Sequence, residues 1–136
     1  MQPKRGFDLK RKVSNLTIYQ AGYGLAKLTT NLTKQFSRDL RGSLGRRMQD
    51  ESVMLVLDIY SANASINKVS EIESILHRIQ AMELSYQLSY DLRQINRTAL
   101  GDAFDVLEGL GKQAGGWLKY AKKRTLQEAE CSPSNN

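Results

Sequence analysis

Residues 17–36, TIYQAGYGLAKLTTNLTKQF, decide how the rest of the chain is read. Ile18, Ala21, Leu25, Leu28, Leu32 and Phe36 recur at three- and four-residue spacing, which puts them on one face of an α-helix. Tyr19, Tyr23 and Ala26 broaden that face toward the width a buried helix needs. The same period returns three times. Leu44, Met48, Leu55, Ile59, Ala62 and Ile66 form a second stripe, flanked by Val53, Val56 and Tyr60. Ile72, Leu76, Ile79, Leu84, Leu88 and Leu92 form a third, and Leu100, Phe104, Leu107, Leu110, Trp117 and Leu118 a fourth. The only two prolines, Pro3 and Pro133, lie near the chain ends, so nothing between them forces a helix to break.

The predicted fold is all-α, an antiparallel up-down-up-down four-helix bundle, because short breaks between long helices make neighbours run in opposite directions. The expected organisation is a basic N-terminal tail over 1–14, a bundle over 15–125 with helices at about 15–36, 43–67, 71–93 and 98–125, and a disordered tail over 126–136. Residues 37–42 read as a turn. Ser70 and Glu73 have the spacing of a capping box, and Thr98 fits an N-cap for the last helix. Gly109, Gly111, Gly115 and Gly116 fall inside a helical pattern where each costs about 1 kcal/mol relative to alanine. Close approach of a neighbouring helix or of Trp117 at Gly115 and Gly116 is the expected compensation.

Charge is unevenly distributed over the 136 residues and their net +6. Residues 1–49 hold eleven basic side chains against Asp8 and Asp39; residues 50–111 hold four basic and ten acidic; residues 112–136 hold five basic and two acidic. Basic blocks of this kind build a local positive potential that attracts a polyanion. In the predicted topology Lys4, Arg5, Lys10, Arg11, Lys12, Lys119, Lys122, Lys123 and Arg124 gather at one tip, and Lys34, Arg38, Arg41, Arg46, Arg47, Arg93 and Arg97 at the other. Lysines near helix C-termini complement the macrodipole, which accounts for Lys34, Lys122 and Lys123 without any ligand. It does not account for Arg46 and Arg47, which the predicted boundaries put in the first turns of a helix, where the dipole disfavours positive charge.

Between residues 16 and 124 the chain resembles the accessory variability determinant proteins of diversity-generating retroelements. The resemblance rests on Leu32-Thr-Lys-Gln-Phe36 closing a tyrosine-containing first helix, on Leu44-Gly-Arg-Arg47 after a basic turn, and on Gly115-Gly-Trp-Leu-Lys119 in the last helix. A sister family, small bundles encoded in intervening sequences of large-subunit ribosomal RNA genes, is similar at Tyr86-Gln-Leu-Ser-Tyr-Asp-Leu92. Its Ser-Ile-x-x-Asn-Ile-Ala-Glu-Gly signature is absent from residues 56–66, which favours the retroelement family. The resemblance implies a homopentamer that binds a reverse transcriptase and its template RNA, with DNA as a further ligand, and supports mutagenic retrohoming without catalysis. Arg46, Arg47 and Lys119 are carried over from the family pattern; Arg38, Arg41, Arg93, Arg97, Lys122, Lys123 and Arg124 follow from tip geometry.

The residues give no basis for an enzyme or a cofactor. A di-iron site in a four-helix bundle needs two Glu-x-x-His motifs, and the single histidine, His77, stands four after Glu73. Cys131 has no histidine beside it. One cysteine in a polar tail fits a reducing compartment, so a cytoplasmic protein is expected. No membrane span is expected either, since the longest aliphatic or methionine run, 53–57, ends at Asp58. The alternative is a four-helix-bundle module without a retroelement role, either ribosomal-RNA-associated or a general oligomerisation module whose charges serve solubility.

Overall fold

The computed structural model describes residues 17–131, to which every structural statement below refers. It is all-helical, with four long helices: α1 (Thr17–Thr33), α2 (Arg46–Ala64), α3 (Lys68–Asp91) and α4 (Arg97–Cys131). No strand occurs among the described residues. The stretch 37–42 is not the expected turn. A short α-helical turn, Arg38–Leu40, and a π-helical turn, Arg41–Gly45, run without a break into α2. The Leu40 and Arg41 N–H groups both donate to the Ser37 carbonyl, at 3.0 and 2.8 Å, which starts the helix eight residues before α2 proper.

One stripe of each helix is buried. Ile18 and Leu25 come from α1; Met48, Leu55, Ile59 and Ala62 from α2; Ile72, Ile75, Ile79, Met82 and Tyr86 from α3; Ala103, Leu107, Leu110, Ala114 and Ala121 from α4. Phe36 plugs the core from the first connection. Burying each large apolar side chain contributes roughly 1.5–3 kcal/mol, whereas an exposed ion pair contributes at most about 1 kcal/mol, so the core carries the stability. The extended helix contacts are α1 on α2, α2 on α3, α3 on α4 and α4 back on α1. At Gly22 an added Cβ would stand 2.9 Å from Ile59 Cδ1, so the missing side chain is what lets α1 and α2 meet.

Polar side chains inside the molecule are paired. The Thr29 and Tyr86 hydroxyls share a buried hydrogen bond of 2.6 Å. Thr33 donates to the Thr29 carbonyl at 2.7 Å, and Gln49 Nε2 donates to Thr33 Oγ1 at 2.7 Å. Burial pushes the Tyr86 phenol up to about 12, with the Thr29 hydrogen bond pulling the other way.

Several expectations need correction. Leu84, Leu88 and Leu92 are exposed; the buried stripe of α3 runs through Ile75, Met82, Tyr86 and Ser89 instead. Ile66 leaves the second stripe, standing fully exposed in the α2–α3 connection, and Phe104 is also exposed. Ser70 is no N-cap, because α3 begins at Lys68 with Asn67 at the cap position. Asn96, not Thr98, caps α4, its Oδ1 accepting the Ala99 N–H at 2.8 Å. Helix α4 continues through 126–131, where a disordered tail was expected. An added Cβ at Gly109, Gly111, Gly115 or Gly116 would meet nothing within 4 Å, so no close approach by another helix among the described residues offsets their cost. The expected tail over 1–14, with Lys4, Arg5, Lys10, Arg11 and Lys12, and the stretch 132–136 lie outside the described residues.

Candidate nucleic-acid interface

Arg38, Arg41, Arg46 and Arg47 are all exposed along the helical run that leads into α2. Arg38 and Arg41 have no ion-pair partner among the described residues. Arg46 faces Asp50 at 3.9 Å and Arg47 faces Glu51 at 3.8 Å, too far for hydrogen bonds, with the arginine side chains 74% and 75% exposed. Pairs of this kind contribute about 0.3–0.5 kcal/mol and leave the guanidinium free to take a stronger partner. Because the helical run begins at Arg38, Arg46 and Arg47 are not in the first turns of an isolated helix. The dipole objection to them therefore falls, and their i,i+4 carboxylates give each a local partner.

The α3–α4 connection lies against this stretch. The Ser37 N–H donates to Gln94 Oε1 at 2.7 Å, joining the segment that carries Arg38 to the one that carries Arg93 and Arg97. Helix α3 ends in a Schellman motif: the Arg93 N–H reaches the Tyr90 carbonyl at 2.9 Å and the Gln94 N–H the Ser89 carbonyl at 2.8 Å. The motif needs a left-handed residue after the cap, usually glycine, and Arg93 occupies it at φ 62°. A side chain in that conformation costs roughly 1–2 kcal/mol. Six exposed arginines thus belong to two segments tied by one hydrogen bond.

The second predicted group is looser. Lys119, Lys122, Lys123 and Arg124 are exposed on α4, and Lys122 lines a shallow depression with Ile66, Asn67, Lys68, Val69, Thr125, Leu126 and Glu128. Arg124 donates to the Tyr120 hydroxyl at 3.2 Å and lies 3.8 Å from Glu128. Lys68 is spent on structure, its Nζ donating to the carbonyls of Ala62 and Asn63 at 3.1 and 2.8 Å where α2 ends.

Arg78 was not singled out from the sequence. It bridges α2 and α3, with Nε on Asp58 at 2.7 Å and Nη1 on Glu51 at 2.9 Å. Burial opposes its charge, but the hydrogen bonds and attraction of Asp58 and then Glu51 win and raise its pKa. Arg78 also shares a groove with Ser43, Arg46, Arg47, Asp50, Glu51 and Met54. Periodicity carries no signal for such a residue, since it sits on the flank of α3 between core and solvent. His77 is exposed beside Glu73 and Gln80, and no group of three or more metal-ligating side chains comes together among the described residues. No described helix is long and apolar enough to cross a membrane. No protein-family model, curated protein or solved structure matches the chain significantly.

Proposed function

We propose that this chain is a noncatalytic accessory protein that holds a nucleic acid by its phosphates. The observation that carries the proposal is the juxtaposition of exposed Arg38, Arg41, Arg46 and Arg47 with Arg93 and Arg97 through the Ser37–Gln94 hydrogen bond. Arginines pair phosphate oxygens bidentately and release condensed counterions, so this group suits a polyanion without sequence readout. Arg93 adds weight, because an arginine standing where glycine costs less is a locally strained choice of the kind that marks functional sites.

The proposal includes an antiparallel up-down-up-down bundle. Three sets of contacts support it. Gln49 pairs with Thr33 while Ile59 meets Gly22; Asp58 pairs with Arg78 while Met48 meets Ser89; and residues 66–69 lie beside Lys122 and Glu128. The first two sets pair a later residue of one helix with an earlier one of the next, the order expected of antiparallel neighbours. By resemblance, the ligand is the template RNA of a diversity-generating retroelement, with DNA as a further ligand, and the protein partner is its reverse transcriptase, acting in the cytoplasm as a homopentamer. Lys119, Lys122, Lys123 and Arg124 form a second basic group on the same reading.

The test is RNA binding by fluorescence anisotropy across a salt series. Binding is expected to weaken steeply with salt, and replacing Arg38, Arg41, Arg46 and Arg47 by glutamine is expected to lower affinity at least tenfold with unchanged helicity. Undiminished affinity in that variant removes the site. A second reading, a self-association module, is favoured by one observation: Val53, Leu57 and Tyr60, at helical spacing on α2, are about half exposed, as is Tyr23 on α1. Tight self-association with no RNA binding would select it.

A further inference from the structure

We propose that the π-helical turn Arg41–Gly45 is a register device that stacks Arg38, Arg41 and Arg46 into one row, along which the phosphates of a single polynucleotide strand lie. The inference rests on the polyanion reading above and adds how the site is built. In an unbroken α-helix each residue turns by about 100°, so Arg38 and Arg46, eight residues apart, would diverge by about 80°. A π turn takes one more residue per turn, which cuts that divergence to about 20°. Arg41 falls within about 60° of both.

Burial records the same register independently. The inward side repeats every four residues through the turn, with Leu40 and Leu44 half-buried and Met48 and Ser52 buried. The outward side does likewise, with Arg38, Gly42, Arg46 and Asp50 all exposed. A plain α-helix would drift by about 40° at each such step and carry either Leu40 or Arg46 off its side. Gly45 is the residue that admits the turn. It is buried, and an added Cβ would lie 3.3 Å from Phe36 Cδ2 and 3.4 Å from the Leu40 carbonyl oxygen. Phe36 therefore seats against bare backbone, and the extra residue is accommodated on the outside, where the Ser43 hydroxyl makes only long hydrogen bonds, 3.4 and 3.5 Å, to the carbonyls of Asp39 and Leu40.

Deleting Ser43 removes the extra residue while leaving every arginine in the chain. Phe36 on one side and Met48 on the other are held by the core, so the deletion rotates Arg38 and Arg41 away from Arg46 by about 100°. Affinity for a short fluorescein-labelled single-stranded RNA is expected to fall about tenfold, and the dependence of log K on log salt to become shallower by about one to two units. Wild-type affinity and slope in a folded deletion variant overturn the register device. If the deletion variant does not fold, an exchange within the intact turn decides. Arg46→Gln is expected to lose about three- to tenfold, and Arg46→Gln with Gly42→Arg to recover to within twofold, because Gly42 lies on the same row and a Cβ there meets nothing within 4 Å. Failure of that exchange to recover affinity also overturns the device. Loss in the four-glutamine variant with no loss on deletion strikes the register alone, whereas undiminished affinity in the four-glutamine variant strikes the polyanion reading itself.

Discussion

Arg93 concentrates the conflict between folding and binding in one side chain. Its left-handed backbone closes the Schellman motif of α3, and glycine would adopt the same geometry without the Cβ clash. Arg93→Gly is therefore expected to stabilise the fold by about 0.5–1 kcal/mol, part of the relief being returned as unfolded-state entropy, and to raise Tm by roughly 3 °C. The same variant is expected to weaken RNA binding and reduce the salt slope by about one, as loss of a single phosphate contact does. Thermal melts and salt-titrated anisotropy on the same preparation check both halves. An unchanged Tm would mean the backbone there is not strained. At this scale little was legible in the sequence: residues 92–96, Leu-Arg-Gln-Ile-Asn, contain no glycine, so nothing in residue type marks the left-handed position.

At the scale of elements the helical period was legible wherever a helix has one apolar stripe. In α1 the predicted face and the buried one share Ile18 and Leu25, but the buried face continues through Thr29 and Thr33, and Tyr23, expected to broaden it, is half exposed. Helix α3 misled because it carries two stripes, Ile72-Ile75-Ile79-Met82-Tyr86 inward and Ala81-Leu84-Leu88-Leu92 outward, and only packing against α2 and α4 selects between them. The π turn was illegible because a four-residue repeat held over three steps fits neither helix nor turn. Helix α4 supplies the prediction. Gly116 is exposed and helical with open space at its Cβ position, so Gly116→Ala is expected to stabilise by about 0.5–1 kcal/mol, read as a rise in the denaturation midpoint. A loss of stability would show that another chain approaches α4 there.

Across the whole molecule, α1 and α3 are joined by the Thr29–Tyr86 hydrogen bond, which makes alkaline stability a property of the assembled core. The Tyr86 phenol, raised by burial to about 12, keeps its proton in the folded state where the unfolded chain releases it near 10. An acid that holds its proton more tightly when folded favours the native state less as pH climbs from its unfolded value toward its folded one. Tm is expected to fall across pH 10–12, and Tyr86→Phe, costing about 1 kcal/mol at neutral pH for the lost hydrogen bond, is expected to flatten that fall. Parallel curves for the two proteins would place the titration elsewhere. Charge segregation was legible at this scale because counting needs no coordinates. The Arg78 bridge was not, because an arginine between Glu51 and Asp58 becomes visible only once α2 and α3 lie side by side.

Helix α4 has 35 residues and is roughly 52 Å long, against roughly 36 Å for the 24 residues of α3. Its last core residue is Ala121, and every described side chain from 122 to 130 is exposed. That outrunning segment is a ready-made handle. A fluorophore or surface-attachment chemistry installed at Gln127 or Ala129 stands clear of both the interior and the α1–α2 arginines, so the molecule can be immobilised or optically tracked with its folding and that arginine group left as they are.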